Sequence, residues 1–154
     1  MNTSGFSATS IASSRLSPGE FRATVNHQPL VVKSVLAGST LRPELGTRPN
    51  HWIWKVIADG KVGGKRVSIG LFFDRDLLPG TYDIVGNSRI NFIYNQTPHF
   101  KSLIYHSAHF QDGHLTLLEA DRCAPRLRGE FSFSISAINF SVTDGAFDLD
   151  CKTF

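Results

Sequence analysis

Residues 129–149, GEFSFSISAINFSVTDGAFDL, place a large apolar side chain on nearly every second position, and the beat slips twice. Phe131, Phe133 and Ile135 are odd, Ile138, Phe140 and Val142 are even, and Phe147 and Leu149 are odd again. A period of two belongs to a strand with one buried face. A slip of one residue turns every side chain to the opposite face, so each slip has to coincide with a turn or a bulge. The expected structure is a strand from about Leu127 to Ile135, a reversal at Ser136 to Asn139, and a second strand carrying Phe140 and Val142 inward. At Asp144-Gly145 an extra residue, with the glycine left-handed, would form a bulge and return Phe147 and Leu149 to the core. The rival reading makes Asp-Gly itself a tight hairpin turn.

The same alternation fills the rest of the chain. FRATVN faces Phe21, Ala23 and Val25 one way, HQP turns, and LVVKSVLA returns. A loop from Gly38 to about Asn50 is expected next, then the strand WIWKVIAD, the glycine-rich connection DGKVGGK and the strand RVSIGLFF. DRDLLPG reads as a turn. TYDIV, RINFIY and FKSLIYHSAHF follow as strands, and QDG opens a hairpin into HLTLLEAD. No window has a sustained helical period. Nine or ten short strands at this spacing predict an all-β antiparallel two-sheet sandwich or flattened barrel with little helix.

One such domain, residues 19–154, fits the length of 154 residues. Twelve phenylalanines against one methionine predict an aromatic core. Residues 1–18 are rich in Ser and Thr with no acid before Glu20, and read as a disordered tail. That composition also resembles the leader of proteins exported by bacterial needle-type secretion machines. The segment lacks the apolar run of a secretory signal, and no stretch approaches a membrane span. The expected location is therefore cytoplasmic, with export by a route that uses no such leader as the alternative.

The net charge is +3, and the densest basic group is Lys61, Lys65 and Arg66. Basic residues scattered in this way predict a solvated hairpin tip and no nucleic-acid partner. Cys123 and Cys151 default to free thiols in such a chain. A reversal centred between residues 137 and 138 brings them near each other at the open end of the hairpin, which would permit a disulfide.

Four segments in order, ATVN at Ala23 to Asn26, GTY at Gly80 to Tyr82, GEFSF at Gly129 to Phe133 and VTDGAFDL at Val142 to Leu149, resemble a family of bacterial all-β proteins, a domain of unknown function. The resemblance covers nearly all of the chain after the tail. In that family a glycine usually follows the VN, and the closing pair reads much like GTFSF then VTNGTFD. Many members are secreted or lipid-anchored. This chain has His27 where glycine is usual and no such leader. The resemblance implies a fold; it brings no catalytic residues.

Motifs for chemistry are sparse. GKVGGKR lacks the spacing of a phosphate loop. His106 and His109, three apart on a strand, should point to opposite faces; His114, across the QDG turn, could approach His109. Three converging ligands are not evident, so no metal and no cofactor are expected. Asp74 and Asp76 could share a calcium ion or act as an acid/base pair, against the plainer reading of a solvated turn, and Glu119 and Asp121 read the same way. Aromatic faces are the better binding candidates. Trp52 and Trp54 share one strand face, Phe92 and Tyr94 another, and Tyr105 follows on a later strand. The expected function is a non-catalytic binding module for a small apolar or amphipathic ligand or a protein partner, with these five residues as the pocket wall. The runner-up is a hydrolase with Asp or His side chains at loop ends.

Overall fold

A computed structural model describes residues 16–41, 52–97, 103–121, 123 and 125–153 of the chain. Its strands are Glu20–Val25 (β1), Gln28–Pro29 (β2), Val31–Leu41 (β3), Trp52–Val62 (β4), Lys65–Asp74 (β5) and Gly80–Asp83 (β6). Ile90–Thr97 (β7), Leu103–His106 (β8), Asp112–Asp121 (β9), Arg126–Ile135 (β10), Phe140–Asp150 (β11) and Lys152–Thr153 (β12) complete them. The first sheet runs β2-β1-β11-β10-β9-β6 and the second β12-β3-β4-β5-β7-β8. All pairs are antiparallel except β12 with β3. The two sheets do not close on one another, so the fold is a sandwich and the barrel alternative falls away. The excess over ten strands is the two-residue pair β2 and β12.

The two phase slips have separate causes. Ile135 pairs with Phe140, and the chain reverses between them through a 3-10 turn at Ser136–Ile138, closed by Asn139 at φ 53°. Beyond Phe133↔Val142 the next pair is Phe131↔Gly145, so β11 holds one residue more than β10. β1 meets the same extra residue, since Arg22 pairs with Ala146 and Thr24 with Thr143. The strand continues unbroken through Asp144-Gly145, which removes the hairpin alternative. The left-handed residue, however, is Asp144 at φ 53°, and not the glycine. Gly145 is required for space: a Cβ there would lie 2.6 Å from the Phe131 ring.

Two further connections differ from the sequence reading. β3 continues to Leu41, with Ser39 and Thr40 buried, where a loop was expected from Gly38; residues 42–50 of that loop lie outside the described residues. QDG is not a hairpin, because β8 pairs with β7 in the second sheet and β9 with β10 and β6 in the first. The chain crosses between sheets there through a 3-10 turn, Ser107–His109, and Phe110 is buried just after it. Residues 1–15 of the expected tail lie outside the described residues, while Gly19 donates its N–H to Asp148 O at 2.6 Å and joins the fold.

Asn26 and His27 form the two-residue turn between β1 and β2, at φ 47° and 68°. Both positive angles match the type I′ hairpin turn, whose second position favours glycine. A histidine there carries a steric cost that glycine avoids. His27→Gly should raise stability by about 1 kcal/mol, read as a higher urea midpoint at unchanged slope.

The core lies between the sheets. Phe131, Phe133, Phe140 and Phe147 from the first sheet meet Trp54, Phe73, Phe92 and Tyr94 from the second. Phe92 stands edge-on to Phe131 at 5.7 Å and to Phe133 at 6.0 Å, the arrangement aromatic quadrupoles prefer.

Both cysteines are free. The β11 bulge moves the pairing along by one residue, so Pro125, whose carbonyl accepts the Cys151 N–H at 2.7 Å, lies across from Cys151, and Cys123 is left exposed beyond it. Burial, helped by Asp150, pushes the Cys151 thiol from its usual 9.0 up to about 12. The folded state thus holds this proton more tightly than the unfolded chain. Stability from this group is complete below pH 9.0 and is lost as the pH rises toward about 12. Cys151→Ala should flatten that alkaline loss in unfolding curves recorded across the same window.

Candidate binding groove

The expected pocket wall is largely core. Trp54, Phe92 and Tyr94 are fully buried between the sheets. The Tyr94 hydroxyl donates to Gln96 Oε1 at 2.7 Å, and burial raises its phenol above the usual 10.0. Tyr105, half-buried, stacks on Tyr94 at 6.3 Å and packs against Phe140 at 4.8 Å. Trp52 sits apart at the start of β4, with the Arg75 guanidinium 4.8 Å above its ring. These five residues line neither of the two grooves described below.

The acidic and histidine clusters also resolve into structure. Asp74 is buried; it pairs with Arg89 Nε at 2.9 Å and accepts the Asp76 N–H at 2.8 Å, so it pins the connection from β5 toward β6. Glu119 reaches Arg126 and Arg128 at 3.8 and 3.7 Å, and Asp121 accepts the Cys123 N–H at 2.9 Å. His106 and His109 do not point apart. The strand ends at His106, the 3-10 turn cancels the period of two, and the rings come to 4.2 Å. His114 belongs to the other sheet. Among the described residues no group of three or more His, Cys, Asp or Glu is placed to hold a metal ion.

A recess of about 340 Å³ lies over the β11 bulge on the outer face of the first sheet, between Arg22, His114, Glu130 and Asp144. Ser132 Oγ stands 3.4 Å from His114 Nε2 there. A working nucleophile needs a base held in turn by a third group. No carboxylate hydrogen-bonds His114 among the described residues, although Asp83 lies opposite it in register.

A larger groove, about 520 Å³, crosses the outer face of the second sheet. Ala58, Val62, Val67, Ile69 and Tyr94 point into the core, so their neighbours Asp59, Lys61, Arg66, Ser68 and Asn95 point out. Register sets them in rows: Lys61 opposite Arg66, and Asp59, Ser68 and Asn95 side by side. Lys33 joins them through a second bulge. Val32 pairs with Gly60 and Ser34 with Asp59, leaving Lys33 as the extra residue on β3. The strands approach so closely there that a Cβ on Gly60 would lie 2.2 Å from Val31 O. Lys33, Lys61 and Arg66 make no ion pair among the described residues. Among the described residues Asn95 Oδ1, shielded from solvent, has no hydrogen-bond partner.

Part of this groove was visible in the sequence. Lys61, Lys65 and Arg66 stood out as a basic group, yet pairing separates them: Lys65 opposes Val62 at the hairpin tip, while Lys61 and Arg66 face outward. Lys33 carried no signal, because its direction depends on the bulge.

Compared with protein-family models, curated proteins and solved structures, the chain matches none. Among the described residues no helix is long and apolar enough to cross a membrane.

Proposed function

We propose that this chain is a non-catalytic binding module that takes an anionic ligand on the open face of its second sheet. The observation that carries the reading is the set of three cations without ion-pair partners among the described residues, Lys33, Lys61 and Arg66, around a recess of about 520 Å³. The apolar-ligand reading loses support because Trp54, Phe92 and Tyr94 are consumed by core packing. Exposed ion pairs contribute about 0.2–1 kcal/mol each, so three give modest affinity that weakens with salt.

The test is retention on a sulfated-dextran column at low ionic strength. The protein should elute at distinctly higher salt than Lys61→Ala/Arg66→Ala, while the charge-matched control Lys65→Ala/Arg128→Ala should stay near wild type. Equal elution of the two double variants would discard the groove as the site. A hydrolase remains the second reading, favoured by the 3.4 Å contact of Ser132 with His114. It requires turnover of an ester probe that Ser132→Ala abolishes without unfolding the chain. We further propose that the chain belongs to the bacterial all-β family and is exported through its N-terminal segment. Export should fail, with folding intact, when residues 1–18 are removed.

A further inference from the structure

We infer that two copies of this chain join β3 to β3, antiparallel, about a two-fold axis that passes between Lys33 and Ser34; this stands apart from the anionic-ligand reading above. One edge of β3 is paired with β4 along its length. On the other edge β12 pairs only with Gly38 and Ser39. From Val31 to Ala37 that edge carries no strand among the described residues. A bare edge offers its backbone N–H and C=O groups to any strand that fits. Val31 is 69% exposed and Leu36 46%, so the same stretch leaves apolar side chains in water.

The bulge sets what fits. Val31, Ser34 and Leu36 point outward, in register with Lys61, Asp59 and Ile57 of β4. Val32, Val35 and Ala37 pack against the core. Lys33, the extra residue, also turns outward over the groove. From Val31 to Leu36 the faces therefore run out, in, out, out, in, out, which reads the same in both directions. A regular strand alternates, and its pattern has no such mirror between two residues; the bulge creates one between Lys33 and Ser34. Opposed residues of an antiparallel pair share a side of the sheet. About this axis Val31 lies opposite Leu36 of the second copy and Val32 opposite its Val35, each pair occurring twice. Lys33 lies opposite the second copy's Ser34, whose neighbour in register on β4 is Asp59. Two strand spacings, about 9.6 Å, separate Lys33 from that Asp59, with only the small serine between. Lys33 and Asp59 make no ion pair within one chain among the described residues, so the complementary charges are free to meet across the axis. Pairing ends at Gly38, where β12 takes the edge, and at Pro29, which belongs to the first sheet. A bulge with a lysine on an edge is also a common guard against pairing. The two roles predict opposite effects of removing the lysine.

The experiment is sedimentation equilibrium of the protein alone across about 1–500 μM, a range suited to an interface at the small end of the scale. The average mass should climb from one copy toward two. Leu36→Lys, at an outward position, should weaken the dimer about tenfold and leave the urea midpoint near wild type. Lys33→Ala should weaken it about threefold, because two exposed ion pairs are lost. Cross-linking reads the register in a Cys123→Ser background, since Cys123 is exposed and free. There Val31→Cys/Leu36→Cys should oxidise with diamide to a covalent dimer, and neither single variant should. A mass that stays at one copy would overturn the inference. So would a Lys33→Ala variant that associates more tightly than wild type, or a double-cysteine variant that does not cross-link.

Discussion

Phe131→Ala should lower the free energy of unfolding by about 3–5 kcal/mol, the range for an aromatic ring deleted from a filled core. Phe131 is 2% exposed, and its ring meets Phe21 at 5.6 Å, Phe92 at 5.7 Å, Phe133 at 6.2 Å and Phe147 at 6.3 Å. Phe92 belongs to the opposite sheet, so this ring holds the two layers together. Strands on both sides are tied into ladders and cannot close over the space, which places the loss toward the upper end. The readout is a lower guanidinium midpoint with an unchanged slope. A loss near 1 kcal/mol would mean that the ring does not bridge the sheets. The same ring sets the identity of residue 145, where a Cβ would lie 2.6 Å from it.

Gly60→Ala is expected to cost about 3 kcal/mol, the top of the usual range for an overpacked site, and to weaken anion binding as well. The added Cβ would lie 2.2 Å from Val31 O, 2.9 Å from Val31 C and 3.0 Å from Val32 Cα. All three are backbone atoms of β3, so no side-chain rotation relieves the clash and the strand itself has to move. What moves is the bulge that turns Lys33 over the groove. Thermal unfolding should show the stability loss, and sulfated-dextran elution should shift toward that of the Lys61→Ala/Arg66→Ala variant. A variant with wild-type stability would show that β3 and β4 are not so closely apposed at this point. A stability loss with unchanged elution would show that Lys33 takes no part in binding.

The two substitutions divide the molecule as its sequence does. The core position of Phe131 is legible from the alternation alone, since it beats in phase with Phe133 and Ile135. The role of Gly60 is not, because an isolated glycine in the run ADGKVGG reads as part of a turn. Only its pairing with Val32, next to the extra Lys33, shows a strand pressed against a bulge. The aromatic candidates went the same way. Alternation put Trp54, Phe92 and Tyr94 on shared faces, but whether such a face meets another sheet or a ligand depends on what lies opposite. Here it is Phe131, Phe133 and Phe140.

By itself the sequence determined the local geometry: strands with a buried face, a reversal within Ser136 to Asn139, a change of phase at Asp144-Gly145 and the phenylalanines of the core. These follow from the two-residue repeat and from the backbone angles that Asp, Asn and Gly tolerate, which neighbouring residues settle among themselves. Tertiary structure alone decided which strands are neighbours, and with that the sheet crossing after His106, the residue facing Cys151, the closeness of His106 to His109, and the convergence of Lys33, Lys61, Arg66 and Asn95. Strand pairing is chosen by the summed burial of residues far apart in the chain, so no short window of sequence contains it.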